Sequence, residues 1–130
     1  MKNVLLSILV IATITISSCG ESVAQEAEAT QGKVELLSPT AFKEKLIELK
    51  DYQLIDVRTS AEVAKGAIEG ALNIDFNSGE FKVKIAKLDK TKPTLVYCAG
   101  GYRSAKAASQ MSEMGFVYVI DLDGGFGAWE

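Results

Sequence analysis

The sequence predicts an α/β fold, a mainly parallel central sheet flanked by helices on both faces, and three observations carry that reading. Short runs rich in Val, Ile, Leu and Tyr recur at Gln53 to Val57, Thr94 to Cys98 and Val117 to Asp121. They are continuous rather than alternating, as strands buried on both faces require. Segments of helical periodicity lie before and between them, and strands joined by helical crossovers pair in parallel.

Taken in order, Met1 to Asn3 precede an apolar run from Val4 to Ile16, followed by Ser17, Ser18 and Cys19. This is the plan of a signal peptide, expected over residues 1–18. The run is shorter than the roughly 20 apolar residues of a spanning helix. Ile16-Ser17-Ser18-Cys19 resembles the lipobox of bacterial lipoproteins. That resemblance implies lipidation at Cys19 and attachment to a membrane of the bacterial cell envelope, with the domain facing the periplasm or the outside. Residues 19–33 are polar and acidic with no aromatic, too poor in apolar surface to order themselves. They are expected to form a flexible tether reaching roughly 20–40 Å, with the globular domain at 34–130.

Ser38-Pro39 starts a helix, Ser as N-cap and Pro in the first turn, and Phe42, Leu46 and Leu49 follow on one face. Phe81, Ile85 and Leu88 repeat the spacing before Lys92-Pro93, and Ala105, Ala108 and Met111 mark a third helix ended by Gly115.

Composition narrows the function. The chain has 130 residues, 48% hydrophobic and 24% charged, which suits one domain. With no histidine it cannot supply a His general base, a Ser-His-Asp or Cys-His couple, or a His-bearing zinc site. A net charge of −3 with interspersed signs argues against a nucleic-acid partner. Two cysteines make no zinc ribbon, and with Cys19 acylated, Cys98 has no disulfide partner in the chain.

Cys98 closes a strand, and Ala99-Gly100-Gly101-Tyr102 leads to Arg103-Ser104, where the next helix is expected to begin. Ligands of open parallel sheets bind at this carboxyl edge. A thiol needs its pKa lowered to become a nucleophile at neutral pH. A helix N-terminus, two glycines that let successive N–H groups turn inward, and the charge of Arg103 all act in that direction. The same cradle would hold an anion, and no separate base is required. The alternative reading is a buried cysteine ending a core strand, the commonest fate of a lone Cys. Tyr102 reads as an aromatic at the pocket mouth.

Tyr97-Cys98-Ala99-Gly100-Gly101-Tyr102-Arg103-Ser104 resembles the active-site loop of single-domain rhodaneses, C-x-x-G-x-R-S. Leu54-Ile55-Asp56-Val57-Arg58 with Glu62 is similar to the family's D-V-R-x-x-x-E, and Gly66 to Ile74 to its G-H-I-x-G-A-x-N-I. Leu122 to Trp129 matches its terminal L-x-G-G-x-x-A-W, so the resemblance runs from about Leu37 to Trp129. Ala67 stands where the family usually has histidine, with an expected effect on local packing. The sequence also stops at Glu130, so its C-terminal edge is expected to be less covered than in relatives that continue.

The resemblance implies a sulfurtransferase that moves a sulfane sulfur from thiosulfate or a similar small anionic donor to a thiol, protein cysteine or cyanide. Cys98 would carry the sulfur as a persulfide. Ala99, Gly100, Gly101, Tyr102 and Arg103 would bind the anion. Asp56, Arg58 and Ser104 would support the loops, and Gly124, Gly125 and Trp129 would turn and pack the chain. No cofactor or metal is implied, and a monomer is expected. Two rivals stand beside this. One is a cysteine phosphatase or arsenate reductase, although those loops run C-x5-R and this one is a residue shorter. The other is a noncatalytic rhodanese-like module for docking or for sensing redox state or sulfide.

Overall fold

The computed structural model describes residues 31–130. The expected signal peptide, the Cys19 lipidation site and most of the tether lie outside the described residues. A five-stranded parallel sheet has the order β1-β5-β4-β2-β3. Its strands are β1 (Lys33–Leu37), β2 (Gln53–Asp56), β3 (Leu72–Asn73), β4 (Thr94–Tyr97) and β5 (Tyr118–Leu122). The helices are α1 (Pro39–Glu48), α2 (Ser60–Val63), α3 (Phe81–Ile85), α4 (Tyr102–Glu113) and α5 (Gly125–Trp129).

Two apolar clusters, one on each face, hold the layers together. Ile55, Val96 and Val119 pack with Phe81 and Ile85 of α3 and with Ala107, Ala108 and Met111 of α4. Their strand neighbours Leu54, Leu95, Tyr97, Ile120 and Leu122 face the other way, onto Phe42 of α1 and the partly buried Phe126 and Trp129 of α5. This alternation explains why the central strands read as unbroken apolar runs. Each fully buried large apolar side chain contributes about 1.5–3 kcal/mol.

α1 starts as its residues dictate. The Ser38 hydroxyl accepts the Ala41 N–H at 3.3 Å, Pro39 opens the helix, and Phe42 is fully buried. α4 ends against Gly115, whose φ of 95° suits a residue without a Cβ.

Several boundaries differ from expectation. β2 and β4 stop one residue short of Val57 and Cys98, although the Val57 N–H still donates to the Tyr97 carbonyl at 3.0 Å. β5 is shifted one residue towards the C-terminus, and α4 begins at Tyr102 rather than Arg103. β1 was not expected at all: it begins at Lys33, inside the span assigned to the tether, and the preceding Gly32 carbonyl accepts the Ser112 hydroxyl at 2.7 Å. Ala67 is exposed, so the alanine alters an open site rather than local packing, and buried Ile68 anchors that segment.

The topology positions the site. From β2 the chain steps outward to β3, and from β4 it steps the opposite way to β5, so neighbouring β2 and β4 diverge at their carboxyl ends. That divergence opens the crevice in which doubly wound sheets bind ligands. Arg58 leaves one side of it and Cys98 the other.

Candidate active site

Cys98 follows a strand in which every residue is buried, and is itself 1% exposed. The loop after it reverses at Gly101, the N-cap of α4, whose φ of 101° is the left-handed conformation glycine tolerates. No side chain caps α4, so its first N–H groups remain available to the sulfur. The Gly101 N–H reaches Cys98 Sγ at 3.0 Å. Burial pushes the thiol up, but the Ser104 hydroxyl and the N–H groups of Ser104, Gly101 and Gly100 outweigh it and hold the thiol below its ordinary value.

The loop's N–H groups can turn inward because its carbonyls are taken from outside. The Phe126 N–H donates to the Cys98 carbonyl at 2.7 Å and the Gly127 N–H to the Ala99 carbonyl at 3.1 Å. Gly125 makes that approach possible: a Cβ there would lie 2.5 Å from the Cys98 carbonyl oxygen and 2.6 Å from the Ala99 carbonyl carbon. The glycine pair read as a turn therefore shapes the cysteine loop.

Arg103 forks onto Glu62, with both Nη–Oε distances 2.8 Å. Glu62 is fixed in turn by a reciprocal cap on α2: the Thr59 N–H donates to it at 2.9 Å, and its own N–H donates to the Thr59 hydroxyl at 3.3 Å. Arg103 first, and then the Thr59 N–H, lower the Glu62 carboxyl to about 2. Two of five guanidinium N–H groups are thus committed, and the positive charge still interacts with Cys98. Glu62 had entered only as a motif position. The Thr59-x-x-Glu62 spacing of a capping box was the signal that places its carboxylate.

Asp56 and Arg58 form a buried two-pronged pair, Nε–Oδ1 3.0 Å and Nη2–Oδ2 2.7 Å. Arg58 also donates to the Gly66 carbonyl at 2.7 Å and lies 4.2 Å from the centre of the Phe126 ring. The Asn73 amide donates to the Asp56 and Arg58 carbonyls at 2.9 and 2.8 Å. These contacts tie the end of β2 to β3, the α2 loop and α5. Tyr102 is 73% exposed with Lys106 Nζ 4.4 Å from its ring centre, and Ser104 is buried beneath the loop. Among the described residues no group of three His, Cys, Asp or Glu could hold a metal.

The described residues form a doubly wound parallel sheet with Cys98 in a glycine loop at its switch point. The rhodanese-like domain family matches residues 38–130, and the chain belongs to that family. A sulfurtransferase of Allochromatium vinosum is 30% identical over 89 residues, 68% of this chain and 81% of that one. A thiosulfate sulfurtransferase of Shewanella oneidensis is 37% identical over 84 residues, 65% of this chain and 81% of that one. The crystal structure of a rhodanese-like domain protein from Staphylococcus aureus superposes with a TM-score of 0.66 at 31% identity, covering 74% of this chain and 91% of that one.

Proposed function

We propose that the protein transfers a sulfane sulfur through a persulfide on Cys98. The observation that carries this is the sulfur held by inward N–H groups, with Gly101 at 3.0 Å and the thiol pKa lowered. In the first half-reaction the Cys98 thiolate attacks the outer sulfur of thiosulfate. The new Cys98 S–S bond forms as the thiosulfate S–S bond breaks, and sulfite leaves with the bonding pair. The persulfide anion then rests in the cradle, where the N–H groups and Arg103 stabilise it. An acceptor thiolate attacks its terminal sulfur and departs as a persulfide, restoring the Cys98 thiolate. Cyanide in that role departs as thiocyanate.

The near-closure of Cys98 favours a slim terminal sulfur over a tetrahedral phosphoryl group, and Arg103 is turned to Glu62 rather than across the loop. The same 1% exposure favours a second reading, a noncatalytic docking or sensing module. Thiocyanate formation from thiosulfate and cyanide separates them. The transfer reading expects ping-pong kinetics abolished by Cys98→Ala, and the module reading expects no turnover and partner binding indifferent to that change.

The sequence further supports attachment to the bacterial cell envelope through lipid on Cys19, with a protein or small thiol there as acceptor. Incorporation of labelled palmitate that disappears in Cys19→Ala is the expected result.

A further inference from the structure

One buried ionisable group plays no part in the mechanism above. Asp121 lies on β5 opposite Val96 of β4, two residues after Val119, and so faces α4 beside the cysteine loop. It is 3% exposed and its Oδ1 has no hydrogen-bond partner. A buried carboxylate with an unmet oxygen is costly and needs a reason to be there. Its polar neighbour is Ser104, fully buried, whose hydroxyl donates to the Gly101 carbonyl at 3.2 Å. The hydroxyl's hydrogen bond goes to that carbonyl, and it also favours the ionised forms of both Cys98 and Asp121. It carries one hydrogen, for which the sulfur and the carboxylate can compete with the carbonyl it now meets.

We propose that Asp121 is a positioning residue for the Cys98 thiol, acting through the Ser104 hydroxyl that the carboxyl and the sulfur share. With Asp121 ionised, its carboxylate competes for the Ser104 hydrogen and adds a negative charge behind the thiolate. With Asp121 protonated, its own O–H donates to Ser104 Oγ, and the Ser104 hydrogen turns to the sulfur. The inference rests on the thiolate chemistry proposed above but not on any sulfur donor.

Burial raises the Asp121 carboxyl to about 6, and the repulsion of Asp123 adds to it. The other charged groups around β5 are engaged elsewhere. On α4, Arg103 holds Glu62 and Lys106 covers the Tyr102 ring. Glu35 of β1 pairs with Lys33 and Tyr118, and on α1 Lys45 pairs with Glu48 while Lys43 lies over Trp129. Groups that share one hydrogen-bond partner titrate as a coupled pair.

The test is the rate of Cys98 alkylation by iodoacetamide, read on the full-length protein by peptide mass between pH 5 and 9. The wild-type profile is expected to show an inflection near pH 6 besides that of the thiol. Asp121→Asn keeps the shape, donates to Ser104 and cannot titrate, so its profile should reduce to a single ionisation. At a pH below the thiol's own inflection its rate should rise about threefold: there one unit of thiol acidification gives about tenfold more thiolate, and lower nucleophilicity takes back about a factor of three. In a Ser104→Ala background the same change should have little effect. A wild-type profile with no inflection between pH 5 and 7 would overturn the proposal, as would an Asp121→Asn effect equal with and without Ser104. Alkylation needs no donor, so failure of the protein to accept sulfur from thiosulfate would count against the transfer reading and leave this outcome independent.

Discussion

Arg103 and Glu62 meet in a two-pronged ion pair, both contacts 2.8 Å, that fastens the first turn of α4 to α2 across the crevice. The cysteine loop is thereby held from below by Ser104, from behind by α5 and from the side by this pair.

The pair has an acid signature. Glu62 sits at about 2 in the folded protein against an ordinary 4.5, so its stabilisation is fully present above pH 4.5 and is lost as pH falls towards 2. Its side chain is 35% exposed, so solvent screening reduces the gain to on the order of 1 kcal/mol. Glu62→Gln should lower stability by that amount at pH 7 and by a small fraction of it at pH 2, where half of Glu62 is already protonated, measured by urea unfolding at both.

Asp121 works with the opposite sign. Its folded value of about 6 exceeds the ordinary 3.8, so the protein keeps the full contribution below pH 3.8 and loses it as pH rises through 6. Asp121→Asn is expected to stabilise the fold at pH 7 by up to about 3 kcal/mol and to match wild type at pH 3.5. Thermal unfolding at the two pH values checks this.

These two residues mark the limit of what the sequence discloses. β2, β4 and β5 were legible because burial on both faces leaves unbroken apolar runs. β1, with the sequence KVELL and an exposed-to-intermediate pattern, was not: an edge strand keeps charges, and its identity comes from pairing with β5. β3 and α2, with 2 and 4 residues, are too short for any period to show. The cysteine loop is a local pattern and could be read directly. The positions of Glu62, Gly125 and Asp121 around it are set by contacts between distant segments, which spacing alone does not encode.

Gly125 carries such a contact. Gly125→Ala puts a Cβ 2.5 Å from the Cys98 carbonyl oxygen at a φ of 63°, so the loop must shift. The expected cost is about 1–3 kcal/mol of stability together with a thiol pKa raised towards its ordinary value. Thiol titration followed by thiolate absorbance reads the second effect separately from the first.

The Asp56–Arg58 pair should behave as structure. Asp56 is fully buried and Arg58 is 4% exposed, so Asp56→Ala leaves an unpaired buried guanidinium and is expected to cost about 3–5 kcal/mol. Protein that remains folded at low temperature should retain a reactive Cys98, measured by alkylation.

The central claim is that Cys98 accepts a sulfur atom, and intact mass tests it most directly. The purified protein and its Cys98→Ala variant are weighed before and after incubation with thiosulfate. The account predicts a gain of one sulfur atom in the wild type, removed by cyanide or excess thiol and absent in the variant. A folded wild-type protein with a reactive thiol that gains no mass from thiosulfate or any other sulfane donor would contradict it.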